Sequence, residues 1–283
     1  MTMKIENTTY RDGFGIPLVL IHAFPIDHRM WDECAQAICD LSALNDVPPF
    51  SIYAPQMPGA GTSEIPTAVE SGSVDPDGAY PQALERMTQG YAELLKSLGH
   101  TRAIWVGLSM GGYVALMMQK LHPEMVAGIA LCDTKAQGDA GHSRENRLNI
   151  ARQCEKGNSV DPVMGFAKAT DKDSSVKQSA AFIRKFTAWL NEQSPEGVAW
   201  RERMAAGRPD LSDVLPQITV PAAIVSGDKD PSSPPAVMKE LQQAMTSTDA
   251  SFTAIEDCGH FSAVEHPEQV ARALLDLVGR VHD

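Results

Sequence analysis

The stretch at residues 103–116, Ala-Ile-Trp-Val-Gly-Leu-Ser-Met-Gly-Gly-Tyr-Val-Ala-Leu, constrains the fold of this chain more than any other. It begins as an apolar, strand-like run, turns through Gly-Leu-Ser-Met-Gly and continues in a helical pattern. A strand, a sharp turn and a helix around G-x-S-x-G form a nucleophile elbow, in which the serine hydroxyl stands clear of the sheet. Gly107 and Gly111 are expected where neighbouring backbone leaves no room for a side chain. The sequence therefore predicts that Ser109 is a nucleophile at the end of a strand.

Short apolar runs alternate with helical patterns over much of the chain. Besides the run that begins at Ala103, strand patterns occur at residues 18–21, 51–54, 126–132, 222–226 and 251–255. Helical patterns lie at about residues 27–44, 82–98, 110–121 and 267–281. Such alternation predicts an α/β fold with a mostly parallel, doubly wound sheet. Residues 3–15 are predicted to form an edge hairpin, and the polar residues 63–81 a long, mobile surface loop.

The pattern changes between about residues 134 and 215, where helical patterns follow one another and no strand is evident. We therefore predict a core domain formed by residues 1–134 and 216–283, with a helical cap inserted at residues 135–215. The aromatic and Met side chains of the cap are expected to form mostly its own core and in part a pocket. The cap is expected to present few charges to that pocket.

Composition narrows the classes of partner. The chain of 283 residues has a formal net charge of −12, which disfavours nucleic acids and anionic membranes, because both bind clustered Lys and Arg. No apolar run approaches the roughly 18 residues of a membrane span. Residues 1–7 are polar and lack the apolar region of a secretory signal, so a cytoplasmic protein is expected. Five cysteines without a C-x-x-C motif predict reduced thiols, with neither disulfides nor a zinc site.

A serine nucleophile needs a base to take its proton and an acidic group to orient that base. His260, which follows the last strand pattern in Cys-Gly-His-Phe, is the candidate base. The candidate acids also follow strand patterns: Asp228 and Asp230 in Gly-Asp-Lys-Asp, and Asp133 after the strand that follows the elbow. The order nucleophile, acid, base along the chain is the order found in α/β-hydrolases.

On these motifs the chain resembles the α/β-hydrolase-fold serine hydrolases from about residue 15 to residue 281. Gly-Leu-Ser-Met-Gly-Gly, Gly-His-Phe and the segment His-Ala-Phe-Pro at residues 22–25 are similar to motifs of small esterases, enol-lactonases and cofactor-free haloperoxidase-like enzymes. The resemblance implies that Asp230 is the acid of a Ser-His-Asp triad, while Asp228 shapes its own turn. It also implies an oxyanion hole formed by the backbone N–H groups of Phe24 and Met110.

The segment at residues 22–25 departs from the family at one position. Ala23 stands where the family usually has Gly, and an alanine fits there if its φ is negative. His22, which ends the preceding strand pattern, is expected to tie the oxyanion loop by hydrogen bonds.

The resemblance implies a carboxylic-ester hydrolase that works through an acyl-enzyme intermediate on Ser109, without a metal or an organic cofactor. The expected substrates are small neutral esters, aryl esters among them, because the cap is expected to offer few inward charges. Enol-lactone hydrolysis and C–C bond hydrolysis with the same triad are alternatives. A ligand receptor with little turnover is a further alternative, because a fold does not fix a function. The sequence leaves open whether the protein is a monomer or a dimer.

Overall fold

A computed structural model describes residues 3–139 and 141–282. Residues 1, 2, 140 and 283, which the predicted core and cap segments include, lie outside the described residues. Within these bounds the strands form one seven-stranded sheet in the order β1-β3-β2-β4-β5-β6-β7. The strands are β1 (Asn7–Arg11), β2 (Leu18–Ile21), β3 (Ile52–Pro55), β4 (Ala103–Leu108), β5 (Val126–Cys132), β6 (Ala222–Gly227) and β7 (Ser251–Ile255). Every pairing is parallel except that of β1 with β3, so the predicted sheet type is confirmed.

Helices connect the strands and cover both faces of the sheet. They are α1 (Asp32–Leu44), α2 (Ala68–Ser71), α3 (Ala83–Ser97), α4 (Met110–Leu121), α5 (His142–Gly157), α6 (Ser175–Gln178), α7 (Ala180–Asn191), α8 (Pro195–Gly207), α9 (Pro235–Ala244), α10 (Ser262–Glu265) and α11 (Pro267–His282). Short 3-10 helices lie at His28–Trp31, Pro123–Met125, Asp161–Ala167 and Ser212–Gln217. The strands from β2 to β6 are buried along their whole length, as their continuous apolar runs predict.

The parallel order of the strands sets where the chemistry can lie. The strands β4, β5, β6 and β7 are neighbours and run in the same direction, so their carboxyl ends meet at one edge of the sheet. Ser109 follows β4, Asp133 follows β5, Asp230 lies three residues beyond β6, and His260 lies five residues beyond β7. In open α/β sheets, ligands bind at this edge.

The predicted edge hairpin at residues 3–15 is wrong. This segment contributes the single strand β1, which pairs antiparallel with β3. Beyond β1, Phe14 donates from its backbone N–H to the carbonyl oxygen of Pro49 at 2.9 Å, and the N–H of Gly13 reaches Ser51 Oγ at 3.0 Å. β3 and the residues just before it therefore supply hydrogen-bond partners that a local hairpin turn would not.

The segment between β5 and β6 is helical throughout its regular structure and contains α5 to α8. We refer to residues 135–215 as the helical segment. Its helices α5 and α8 pack against each other. The absence of a strand from the described part of this segment agrees with the sequence pattern, whereas its standing as a separate cap domain stays a prediction.

Residues 63–81 do not form the featureless loop that their composition suggests. They include α2, whose N-terminus Thr67 and Glu70 cap with a capping box. Two side chains of the helical segment hold this stretch: Trp200 Nε1 donates to Ser71 Oγ at 2.8 Å, and Arg144 pairs with Asp75 at 2.7 Å. The loop is therefore anchored by polar contacts to residues distant in the chain, which its own sequence does not predict.

Candidate active site

The turn after β4 has the strained geometry of a nucleophile elbow. Ser109 has a φ of +53°, a conformation that side-chain-bearing residues rarely adopt. A Cβ on Gly107 would lie 2.2 Å from the carbonyl oxygen of Gly111, and a Cβ on Gly111 would lie 2.3 Å from that of Ile21. The turn is held by Thr134, whose hydroxyl donates to the carbonyl oxygen of Ser109 at 2.6 Å. The predicted crowding at both glycines is thus confirmed.

Ser109, His260 and Asp230 form one chain of hydrogen bonds. The Nε2 atom of His260 lies 2.8 Å from Ser109 Oγ, and its Nδ1 atom lies 2.8 Å from Asp230 Oδ2. Asp230 is buried and also accepts from Ser233 Oγ at 2.5 Å and from the N–H of Ser232 at 2.7 Å.

The electrostatics of this hydrogen-bond chain favour an ionised Asp230 and stabilise the positive charge that His260 acquires when it takes a proton. Although burial opposes ionisation, the His260 ring and the hydrogen bonds hold the pKa of Asp230 below its usual value. Burial likewise opposes the charged imidazolium, but the Asp230 carboxylate raises the pKa of His260 above its usual value. Nδ1–H of His260 donates to Asp230, which leaves Nε2 to accept from the Ser109 hydroxyl.

The other two candidate acids do not contact His260, and each accepts hydrogen bonds from backbone N–H groups instead. Asp228 accepts from the N–H of Cys258 at 3.1 Å, which ties the loop after β6 to the loop after β7. The expectation that Asp228 shapes its own turn is therefore wrong, because a donor thirty positions along the chain takes its carboxylate. Asp133 accepts from the N–H groups of Gly227 at 2.9 Å and Ser262 at 3.3 Å.

Asp133 is fully buried directly after β5. Burial and the nearby negative charge of Asp230 raise the pKa of Asp133 to about 7. The pKa values of the two neighbouring carboxyl groups are thus shifted in opposite directions, that of Asp230 downward and that of Asp133 upward.

The segment at residues 22–25 accommodates the alanine without backbone strain. Ala23 is not among the residues at positive φ, so the substitution for Gly brings no backbone strain. His22 accepts from the N–H of Met57 at Nε2 (2.8 Å) and therefore donates from Nδ1 to the Ala23 carbonyl oxygen at 2.9 Å. Burial lowers the pKa of His22 to about 3, so the ring is neutral. The hydrogen bonds expected of His22 are therefore present, and they join residue 23 to the loop after β3.

Two buried charged residues that the sequence analysis missed hold the loops of the site. Arg201, on α8, donates from Nη1 to the carbonyl oxygens of Pro25 (3.1 Å) and Ile26 (2.9 Å), immediately after Phe24 in the chain. No motif marks Arg201. Glu265 accepts from the N–H of Gly259 at 2.7 Å and so supports the loop that carries His260. A lone carboxylate in the apolar run Phe-Ser-Ala-Val-Glu is the signal that would have found Glu265.

One cavity of about 360 Å³ opens onto Ser109 and His260, with Phe24 and Met110 beside them. Its volume falls in the range of small-molecule sites. Among the aromatic and Met side chains of the predicted cap, Phe166 lines this cavity, whereas Met164, Trp189, Trp200 and Met204 do not. The others add to the packing of the helical segment.

The opposite side of the cavity carries charge. We use the name charged wall for Asp139, Arg147, Glu202 and Arg208, which all line it. Arg147 Nη1 donates to Glu202 at 2.8 Å and Arg147 Nε to Asp139, while Arg208 Nη2 lies 3.1 Å from Asp139. The expectation that the helical segment offers few inward charges is wrong, because these residues are spread through the sequence and only the packing of α5 on α8 brings them together.

Other features of the described chain bear on ligands. All five cysteines are free thiols. In residues 3–139 and 141–282 no group of three or more His, Cys, Asp or Glu side chains is placed to hold a metal ion. Over the same residues no helix has both the length and the apolar character needed to cross a membrane.

Comparisons with known proteins agree with this architecture. Residues 18–273 match the Alpha/beta hydrolase family. A thermophilic esterase from Thermogutta terrifontis superposes with a TM-score of 0.81 at 29% identity, over 99% of this chain and 95% of that one. The enol-lactonase from Burkholderia xenovorans superposes with a TM-score of 0.76 at 22% identity, over 97% of this chain and 96% of that one.

Sequence relatives point in the same direction. The chain is 21% identical to the pimeloyl-[acyl-carrier protein] methyl ester esterase of Vibrio vulnificus over 273 residues, which cover 95% of this chain and 96% of that protein. The match to the family covers most of the described chain, so both the predicted resemblance and the predicted fold class are confirmed. The chain belongs to the alpha/beta hydrolase family.

Proposed function

We propose that the protein is a carboxylic-ester hydrolase in which Ser109 is the nucleophile, His260 the general base and acid, and Asp230 the residue that orients His260. The backbone N–H groups of Phe24 and Met110 would bind the oxyanion. The helical segment would act as a cap over the core. The observation that carries this proposal is the continuous hydrogen-bond chain from Ser109 Oγ through His260 to Asp230, in which Ser109 and His260 line a cavity of small-molecule size.

The proposed reaction has two halves. Ser109 Oγ attacks the ester carbonyl carbon while its proton passes to His260 Nε2, and the oxyanion that forms is held by the two backbone N–H groups. Collapse of this intermediate breaks the bond to the alcohol, which takes the proton from His260 and leaves an acyl group on Ser109. A water molecule then gives a proton to His260 and attacks the acyl carbon. The bond from that carbon to Ser109 Oγ breaks, His260 returns the proton to Oγ, and the free acid leaves.

Hydrolysis of 4-nitrophenyl esters from acetate to octanoate tests this proposal. The wild-type protein should release 4-nitrophenolate, and Ser109→Ala should lose about 10³-fold or more of kcat/KM. The matched control is Ser97→Ala, which removes the hydroxyl of an exposed serine remote from the cavity and should keep the wild-type rate. An unchanged rate in Ser109→Ala would refute the nucleophile, and a folded wild type without activity on any ester would refute the simple esterase.

Two other reactions use the same three residues, namely hydrolysis of enol-lactones and hydrolysis of C–C bonds in ring-cleavage products. The structural similarity to an enol-lactonase favours a lactone panel as the second assay. The receptor alternative predicts a different result: a small molecule raises the melting temperature while no product forms. A folded protein that is stabilised by a lactone and does not open it would support the receptor over the enzyme.

A further inference from the structure

The charged wall takes no part in the proposed reaction, yet it shares a cavity with Ser109. Its four side chains are linked in a row, from Glu202 through Arg147 and Asp139 to Arg208. Glu202 and Arg208 have side chains that are only 2% and 6% exposed. Burying this many charges is costly unless they are paired or bind a ligand.

The guanidinium of Arg208 is incompletely paired. One of its nitrogens, Nη2, meets Asp139, while its Nε is buried and has no hydrogen-bond partner among the described residues. Its flat face lies 3.7 Å from the ring centroid of Tyr113. Burial, and then the nearby positive charge of Arg147, lower the pKa of Arg208, so its surroundings do not fully offset the cation. A buried N–H without an acceptor is unfavourable. Because Arg208 lines the cavity, an anionic ligand bound there would help to offset its incompletely paired charge.

The rest of this side of the cavity is also rich in donors. Ser143, Asn146 and Arg147 all line the cavity and lie on one face of α5, because they are spaced by three and one residues. Lys135, which is exposed, lines the cavity as well. Lys135 brings the cationic side chains on this side to three, against the two carboxylates of the charged wall.

This local balance differs from that of the whole chain. The sequence has 24 Lys and Arg residues against 36 Asp and Glu residues. On the core side of the cavity Asp133 is a further carboxyl group, but burial and Asp230 raise its pKa to about 7, which weakens its negative charge. Even with Asp133 counted, three cationic side chains face three carboxyl groups in the cavity lining, so the cavity lacks the acidic excess of the whole chain and suits an anionic ligand better than the rest of the protein does.

We propose that the charged wall binds a free carboxylate of the substrate, so that the preferred substrates are esters or lactones of small acids that carry a second carboxylate. Arg208 is the main contact, since guanidinium groups bind carboxylates through paired, charge-assisted hydrogen bonds. This inference rests on the proposed ester hydrolysis and specifies its substrate class. The rival interpretation is an ion-pair network that only joins α5 to α8, and it predicts no preference between charged and neutral substrates.

Matched pairs of ligands separate the two interpretations. The monomethyl esters of succinic, glutaric and adipic acids are each compared with the corresponding methyl ester amide, which has the same shape and no charge. Binding is measured by calorimetry on Ser109→Ala at neutral pH, where the acids are ionised and no turnover is needed. The best acid of the series should bind about tenfold to a hundredfold more tightly than its amide, as expected for hydrogen bonds to a charged group.

Variants of the wall test which residue is responsible. In the Ser109→Ala background, Arg208→Gln should reduce the ratio of acid to amide affinity to less than about threefold. Arg272→Gln, at an exposed arginine of α11 that does not line the cavity, is the matched control and should keep the ratio. Lys135→Gln, at an exposed position that tolerates substitution, should lower the ratio to a smaller extent, so the test does not depend on the folding of one variant.

The outcomes distinguish this inference from the proposed reaction. Equal affinity for acid and amide throughout the series, or no binding of either, overturns the carboxylate site, even if the wild type hydrolyses 4-nitrophenyl esters. A preference for the acid that Arg208→Gln abolishes supports the site, even if the wild type shows no esterase activity. A preference that survives in Arg208→Gln overturns the assignment to the charged wall.

Discussion

The two sides of the cavity are held in place in different ways. On the core side, Ser109, Asp230 and His260 follow the parallel strands β4, β6 and β7, and the sheet itself brings them together. On the opposite side, Arg147 and Glu202 come from different helices, and side-chain ion pairs join them. The first arrangement is fixed by backbone hydrogen bonds and chain direction. The second depends on each partner being present.

This difference teaches how each side should respond to substitution. Removing a side chain from the core edge leaves the scaffold in place and removes a step of the chemistry. Removing a side chain from the charged wall leaves its partner as an unpaired buried charge, which lowers the free energy of unfolding. Substitutions on the core side should therefore act mainly on rate, and substitutions on the charged wall mainly on stability and on the choice of substrate.

The largest expected effect is on the core side. Asp230→Asn keeps the shape of the residue but removes the charge that orients and stabilises the His260 imidazolium, so kcat should fall by about 10³–10⁴-fold. Because the Asp230 carboxylate raises the pKa of His260, and because only the neutral ring can act as base, the acid limb of the pH–rate profile should move to lower pH in this variant. Steady-state kinetics across pH measures both changes.

The matched control for this prediction is Asp228→Asn, two residues away. Asp228 holds the N–H of Cys258 and does not contact His260, so this variant should lose less than about tenfold in kcat. A larger loss for Asp228→Asn than for Asp230→Asn would show that the acid of the site has been assigned to the wrong carboxylate.

The same contrast explains what the sequence predicts and what it does not. Ser109 and His260 carry recognisable motifs at strand ends, and the strands are readable from apolar runs, so the sheet type and the main residues of the candidate site follow from local patterns. Arg201 and Arg208 carry no motif, since each acts through residues distant in the chain. The hairpin prediction failed for the same reason, because the partner of β1 is β3 and not its sequence neighbour.

On the charged wall, Asp139→Asn should give the clearest loss of stability. The carboxylate accepts from both Arg147 and Arg208, and its removal leaves two largely buried cations with only Glu202 to offset them. The free energy of unfolding should fall by about 3 kcal/mol, the scale expected when one partner of a buried ion pair is removed. Denaturant-induced unfolding of both proteins measures the difference.

Asp213→Asn is the control for this loss. Asp213 pairs with Lys120 at 3.3 Å, and both side chains are well exposed, so the variant should lose less than about 1 kcal/mol. Similar losses in the two variants would mean that the charged wall is screened by solvent in the way a surface pair is.

Arg201 connects α8 to the loop after β2, and its removal should lower the rate because that loop would shift. Arg201→Met removes the donors that hold the carbonyl oxygens of Pro25 and Ile26, next to the N–H of Phe24. A small displacement of this N–H should lower kcat by about 10²-fold with little change in KM, because the oxyanion forms only during the reaction. Arg203→Met, on the same helix and paired with Glu155, should keep kcat. A rise in KM at constant kcat would place Arg201 in substrate binding instead.

The smallest expected effect on rate belongs to Asp133, which is as buried as Asp230 but does not touch His260. Asp133→Asn should lower kcat by less than about tenfold, and should move the acid limb of the pH–rate profile to lower pH by less than Asp230→Asn does, because Asp133 adds only a remote negative charge. A loss of rate as large as that of Asp230→Asn would make Asp133 the functional acid.

The difference in stability between the wild type and Asp133→Asn should depend on pH in a defined direction. The native state raises the pKa of Asp133 from 3.8 to about 7, so the folded protein holds this proton more strongly than the unfolded chain. Ionisation therefore favours unfolding as the pH rises between these two values, and the wild type should lose stability relative to Asp133→Asn across that window. Urea unfolding at pH 5 and pH 8 checks the sign. A wild-type advantage that grows with pH would mean that the carboxylate, held by the N–H groups of Gly227 and Ser262, is the form that the fold prefers.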